Sequence, residues 1–144
     1  MDVAAIRRVL PHRPPFLLVD AVTELERGVR CVGRKHVTGH EWFFPAGEWD
    51  AAPPAMPGLL VLEALAQLGG VLLLRDEADC AAKVVYFASV TGVVWHDAVL
   101  PGDELRLEAT VTQRRGGLHK VRAQAHVDGR LVCEGELGAV VADR

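Results

Sequence analysis

The stretch "MPGLLVLEALAQLGGVLLL", Met56 to Leu74, is apolar on nearly every side of a helical wheel and yet carries a carboxylate, Glu63, in its middle. A run of that length raises the question of a membrane span. Glu63, Gln67 one turn later and the Gly69-Gly70 pair make a helix buried in a soluble protein the better reading, because a carboxylate at the centre of a bilayer is costly. Pro57 suits the first turn, where a missing N–H costs little, and Arg75 suits the far end, where a cation complements the helix dipole. At 1.5 Å per residue this helix would be about 28 Å long. Being apolar nearly all round, it must be covered on several sides.

The rest of the chain supplies the cover. A short helix is predicted over Asp2–Leu10, stopped by Pro11, Pro14 and Pro15. Strands are predicted in "FLLVDAV" (Phe16–Val22), "VRCVGRKHV", "KVVYFASV", "ELRLEATVTQR", "LHKVRAQAHV" and "RLVCEGELGAVV". Gly116-Gly117 and Asp128-Gly129 mark hairpin turns between the last three. In "ELRLEATV" the apolar Leu105, Leu107, Ala109 and Val111 alternate with Arg106, Glu108 and Thr110, so one sheet face is wet. Antiparallel strands with one face on a single buried helix give an α+β layer arrangement, read as one domain over residues 1–144. One sheet seldom covers such a helix fully, so a dimer is expected.

Composition narrows the partners. A net charge of −3 leaves no overall basic face for nucleic acid and points to proteins or small molecules instead. Cys31, Cys80 and Cys133 are isolated and odd in number, the pattern of free thiols in a reducing cytoplasm, with no metal or disulfide framework expected. From Met1 to Pro11 there is no apolar run of the kind a signal peptide needs, so a cytoplasmic protein is expected.

Glu63 and Gln67 are spaced i, i+4 and share one helix face. Burial there without a partner would favour the proton-carrying form of Glu63, which a general acid requires, and Gln67 could hold it in place. The alternative, a hydrogen-bonded and inert Glu63 at a subunit interface, stays open. "MPG" (Met56, Pro57, Gly58) opens the helix, whose unpaired N–H groups can bind a developing negative charge, and Gly58 lets a ligand come close.

"LPHRPPFLLVD" (Leu10–Asp20), "MPGLLVLEALAQ" (Met56–Gln67), "YFASV" (Tyr86–Val90) and the run from Pro101 to Leu137 resemble the FabZ-type 3-hydroxyacyl-acyl carrier protein dehydratases. The resemblance implies a hot-dog fold, a long helix wrapped by an antiparallel sheet and paired into a dimer. It implies water elimination from a 3-hydroxyacyl thioester on acyl carrier protein, giving the trans-2-enoyl product with no metal or organic cofactor. In that family a His abstracts the Cα proton, a Glu on the central helix of the other subunit helps the hydroxyl leave, and helix-start N–H groups polarise the thioester carbonyl. By motif the Glu maps to Glu63, the supporting Gln to Gln67 and the helix-start Gly to Gly58.

The His does not map. Where the family resembles "FFxGHFPG", this chain has "FFPAGEWDAAPPAMPG", which puts Gly47 at the His position, or Glu48 after a one-residue shift. His36 and His40 lie upstream, and either could serve as a substitute base only through a rebuilt loop; Glu48 is the other candidate substitute. His96, His119 and His126 are read as strand histidines with no carboxylate to activate them, and His12 as a packing or turn residue. The leading expectation is a subunit that supplies Glu63 to a composite site whose His comes from a hot-dog partner, in fatty acid or polyketide-type biosynthesis. The alternatives are a non-catalytic scaffold subunit, as homodimer or heterodimer, and an acyl thioesterase. Arg114, Arg115, Lys120 and Arg122 are candidate contacts for an acidic carrier protein.

Overall fold

The order of elements follows the hydrophobic pattern. A computed structural model describes residues 1–49, 52–75, 77 and 80–143. It contains helix α1 (Val3–Val9), strands β1 (Ala21–Glu26) and β2 (Arg30–His36), helix α2 (Gly58–Leu74), a 3-10 turn at Cys80–Ala82, and strands β3 (Lys83–Trp95), β4 (Glu104–Arg115), β5 (Leu118–Val127) and β6 (Arg130–Asp143). The strands form one antiparallel sheet in the order β1-β2-β4-β5-β6-β3, and α2 lies on its inner face.

The alternation expected in β4 is present: Leu105, Leu107 and Ala109 are fully buried, as are Ala125 and Ala123 opposite Leu107 and Ala109 on β5, and Val121 further along β5. They meet Ala64, Leu65, Leu68 and Val71 of α2 in one core. At β2 the approach is close: a Cβ built on Gly33 would stand 2.8 Å from a Leu68 methyl. Both hairpins are tight, with positive φ at Gly116 and Gly117 (54° and 82°) and at Asp128 and Gly129 (49° and 78°). Two consecutive left-handed residues give a turn whose twist matches the flanking strands. Cys31 and Cys133 are buried, and burial pushes their thiols up to about 12 and about 11. Among the described residues no helix is long and apolar enough to cross a membrane.

Two expectations about strand bounds are corrected. The strand predicted over Phe16–Val22 begins only at Ala21, because the backbone of Phe16 and Leu18 is bonded to the side chain of Gln67 and not to a neighbouring strand. The "KVVYFASV" strand continues to Trp95, bending through irregular pairing between Phe87 and Ser89 and between Thr91 and Val94. This long β3 is a sheet edge, and none of its 13 residues is buried. Tyr86, Val90, Val94 and Trp95 are 59%, 48%, 44% and 47% exposed.

The outer face of the other edge is laced by Arg30 of β2. Its Nε and Nη2 donate to the two oxygens of Glu108 on β4 at 3.0 and 3.1 Å, and its Nη1 donates to Glu24 on β1 at 2.8 Å. The Arg30 hydrogen bonds hold the Glu108 carboxyl far below its ordinary 4.5, at about 2. A depressed carboxyl stabilises the fold above its unfolded value and loses that contribution as pH falls toward the folded one. Acid titration monitored by circular dichroism should therefore show stability falling between pH about 4.5 and about 2, and Glu108→Gln should make that decline shallower.

Candidate active site

Glu63 lies on the second turn of α2. Its Oε1 accepts a hydrogen bond from Gln67 Nε2 at 2.7 Å and stands 3.5 Å from His12 Nε2. Gln67 is 2% exposed, and its amide is fully used: Nε2 also donates to Phe16 O at 2.7 Å, and Oε1 accepts from Leu18 N at 2.9 Å. The i, i+4 pair therefore does more than the helix pattern implied. It fastens the segment before β1 to the helix and, through that segment, brings His12 to the carboxylate.

Glu63 is less buried than the helix pattern suggests, with its side chain 30% exposed, and the expected Gln67 contact is joined by a second neighbour, His12. It borders a narrow cavity of about 90 Å³ whose other walls include Leu10, Pro11, Ala66, Gly70 and Phe87.

Gly58 and Met56 line a different cavity, of about 600 Å³, with Leu59, Trp95, Val99 and Cys133. Met56 is buried and donates its N–H to Val99 O at 2.8 Å, while Gly58 O accepts from Trp95 Nε1 at 2.9 Å. Pro57 is the N-cap and offers no side-chain cap, so the amides of Gly58 and Leu59 have no acceptor among the described residues. Five residues separate Gly58 from Glu63. The helix-start N–H groups point along the helix axis, whereas the Glu63 side chain projects from its flank. Within one chain the helix start and the carboxylate therefore border different cavities.

The loop that lacks the His is open. Gly47 has φ of 106° and nothing near the position of a Cβ; it and Glu48 are exposed. His40 is exposed too, and its amide bonds to Thr38 Oγ1. Among the described residues no hydrogen bond or ion pair joins His40 or Glu48 to α2. The imidazole that does reach Glu63 is His12, read from the sequence as a packing or turn residue. The signal for it was the "LPHRPP" run, whose turn, with the N–H groups of Phe16 and Leu17 donating to Arg13 O, carries His12 over the helix.

Other histidines also differ from expectation. His96 Nε2 lies 3.0 Å from Glu134 and His36 Nε2 lies 3.1 Å from Glu104, so His96 does have a carboxylate beside it. Burial, then the charge of Arg114, lowers the pKa of His119. Of the basic residues considered for a carrier protein, Arg114 is engaged by Gly28 O at 2.6 Å and Lys120 by Glu136 at 3.2 Å.

This arrangement can be set beside known proteins. Residues 10–136 match the model of the FabA-like domain family. The 3-hydroxyacyl-[acyl-carrier-protein] dehydratase FabZ of Anaeromyxobacter sp. (strain Fw109-5) is 45% identical over all of this chain and 92% of its own. That of Bacillus cereus (strain AH820) is 42% identical over all of this chain and 98% of its own. The chain belongs to the FabZ-type hot-dog dehydratase family. Among solved structures, the dehydratase heterocomplex ApeI:P from Xenorhabdus doucetiae has the same fold, with a TM-score of 0.76 at 20% identity over 96% of this chain and 91% of that one. A hypothetical thioesterase with coenzyme A from Streptococcus pneumoniae shares it more distantly, at a TM-score of 0.63 and 11% identity over 86% of each chain.

Because Gln67 fastens two backbone groups and a carboxylate in the interior, its replacement by Leu, similar in volume, would strand Phe16 O and Leu18 N without partners. Denaturant unfolding should show a loss of about 2–4 kcal/mol.

Proposed function

We propose that this chain is a subunit of a 3-hydroxyacyl-acyl carrier protein dehydratase of fatty acid or polyketide-type biosynthesis, and that it supplies Glu63 to a site completed by a partner subunit. The observation that carries this reading is the separation of Gly58 and Glu63 into different cavities. A site that uses both a helix-start amide and a helix carboxylate has to draw them from two chains. The bare apolar edge of β3 supplies a surface on which two such chains can pair.

In the composite site the partner's His removes the Cα proton of the 3-hydroxyacyl thioester, and the partner's helix start receives the charge that develops on the thioester oxygen. As the C–O bond breaks, Glu63 gives its proton to the departing hydroxide, which leaves as water, and the electron pair of the broken C–H bond forms the alkene. The complementary half-site would hold this chain's Gly58 together with the loop in which Gly47 or Glu48 stands where a His is needed. One working site per pair follows. The full-length similarity to dehydratases at 42–45% identity supports this chemistry over thioester hydrolysis.

The test is reconstitution. Purified alone, the chain should dimerise with itself and show little dehydration of 3-hydroxyacyl carrier protein; co-expressed with a hot-dog chain that carries the His, it should form an active mixed dimer. Glu63→Gln, or loss of the partner's His, should each lower turnover about 100-fold or more, without adding when combined. Turnover by this chain alone at the rate of the pair would overturn the composite site and make His40 or Glu48 the base to test. Free acid as product would indicate a thioesterase, and a Glu63→Gln pair of full activity would leave the chain as a scaffold.

A further inference from the structure

His12 has no role in that composite site, although its imidazole is the one that faces Glu63. Its Nε2 is 3.5 Å from Glu63 Oε1, and both side chains are about one third exposed, at 33% and 30%, on the wall of the same cavity. Its other ring nitrogen is the informative atom. His12 Nδ1 is buried and has no hydrogen-bond partner among the described residues. A proton on Nδ1 would be a buried donor with no acceptor, a costly state, so of the two neutral tautomers the geometry favours the one with N–H at Nε2, directed at Glu63.

The backbone fixes this aim. Arg13 Nη1 donates to the carbonyls of Leu10 and His12 at 2.9 and 2.7 Å, which stiffens the turn on either side of the ring. Four to six residues on, Gln67 holds Phe16 O and Leu18 N and, with the same Nε2, Glu63 Oε1. Two N–H groups, one from Gln67 and one from His12, thus converge on Oε1, while Oε2 has no partner among the described residues. A proton carried by Glu63 then resides on Oε2.

We propose that His12 is a positioning residue for Glu63: its Nε2–H, together with the Gln67 amide, holds Oε1 and leaves Oε2 as the oxygen that delivers a proton to the 3-hydroxyl of the substrate. The proposal rests on Glu63 acting as the acid. A 3.5 Å separation is long for a hydrogen bond, and such contacts commonly tighten once substrate fills the site. It also gives the "LPHRPP" turn a function beyond packing: it places an imidazole where the helix cannot.

The variants His12→Met, which removes the donor, and His12→Gln, which keeps an N–H at similar reach, test this in the active assembly with 3-hydroxyacyl carrier protein as substrate. His12→Met should lower kcat roughly ten- to a hundredfold with KM unchanged, because a misaimed group costs rate and not binding. His12→Gln should recover kcat to within about threefold of the parent. If His12→Met turns over like the parent while Glu63→Gln is inactive, the positioning role is wrong and the proposed function stands. If His12→Gln is as slow as His12→Met, the imidazole is accepting a proton and the proposal is overturned. If Glu63→Gln keeps full activity, the proposed function and this proposal fall together. A second measurement needs no variant to assemble: in the ¹⁵N-histidine-labelled chain at alkaline pH, where the imidazole is neutral, the ring nitrogen spectrum of His12 should show the Nε2–H tautomer. An Nδ1–H tautomer would overturn the proposal.

Discussion

The amide of Gln67 is the interaction on which the rest of the site depends. A buried primary amide must satisfy two donors and an acceptor, and here the partners come from three places: the backbone before β1, on both sides of Leu17, and the carboxylate one turn back on α2. Satisfying that one side chain keeps Phe16–Leu18 out of the sheet. It also drapes the proline-rich turn over the helix and sets the position of Glu63. The face of α2 that carries Glu63 is therefore organised by a residue that is itself almost wholly buried.

Features governed by local pattern were legible in the sequence. The alternation of Leu105, Leu107 and Ala109, the paired turn residues at Gly116-Gly117 and Asp128-Gly129, and the helix bracketed by Pro57 and Arg75 each follow from rules that act over a few residues. The pairing of Glu63 with Gln67 was legible for the same reason, since i, i+4 neighbours on a helix meet whatever surrounds them. The approach of His12 to Glu63 was not, because it depends on a bond from Gln67 to backbone 51 residues earlier. The start of β1 was misread for the same cause: residues with strand propensity were claimed by a side chain from elsewhere. The split between Gly58 and Glu63 was not legible either, because which cavity each borders depends on the strands packed around the helix.

The glycine of β2 shows how tightly this geometry is held. With Leu68 and the carbonyl of Ala21 both 2.8 Å from where a Cβ would stand at Gly33, the helix rests almost directly on the sheet. Leu68 is the residue after Gln67, so the depth to which α2 sinks against β2 also sets how far Gln67 reaches toward the segment before β1. Packing on one side of the helix and hydrogen bonding on another are thus coupled through adjacent positions.

The long edge strand has a consequence for the life of the chain before any chemistry begins. β3 offers 13 residues of edge with aromatic and branched side chains in water, the type of surface that recruits any extended strand nearby. A newly made copy that finds no companion is exposed to aggregation and to quality-control proteolysis, whereas a companion laid along β3 withdraws it from both. Cells that make this chain in excess of whatever covers that edge should lose the surplus, so its abundance would be set by stoichiometry more than by its own rate of synthesis.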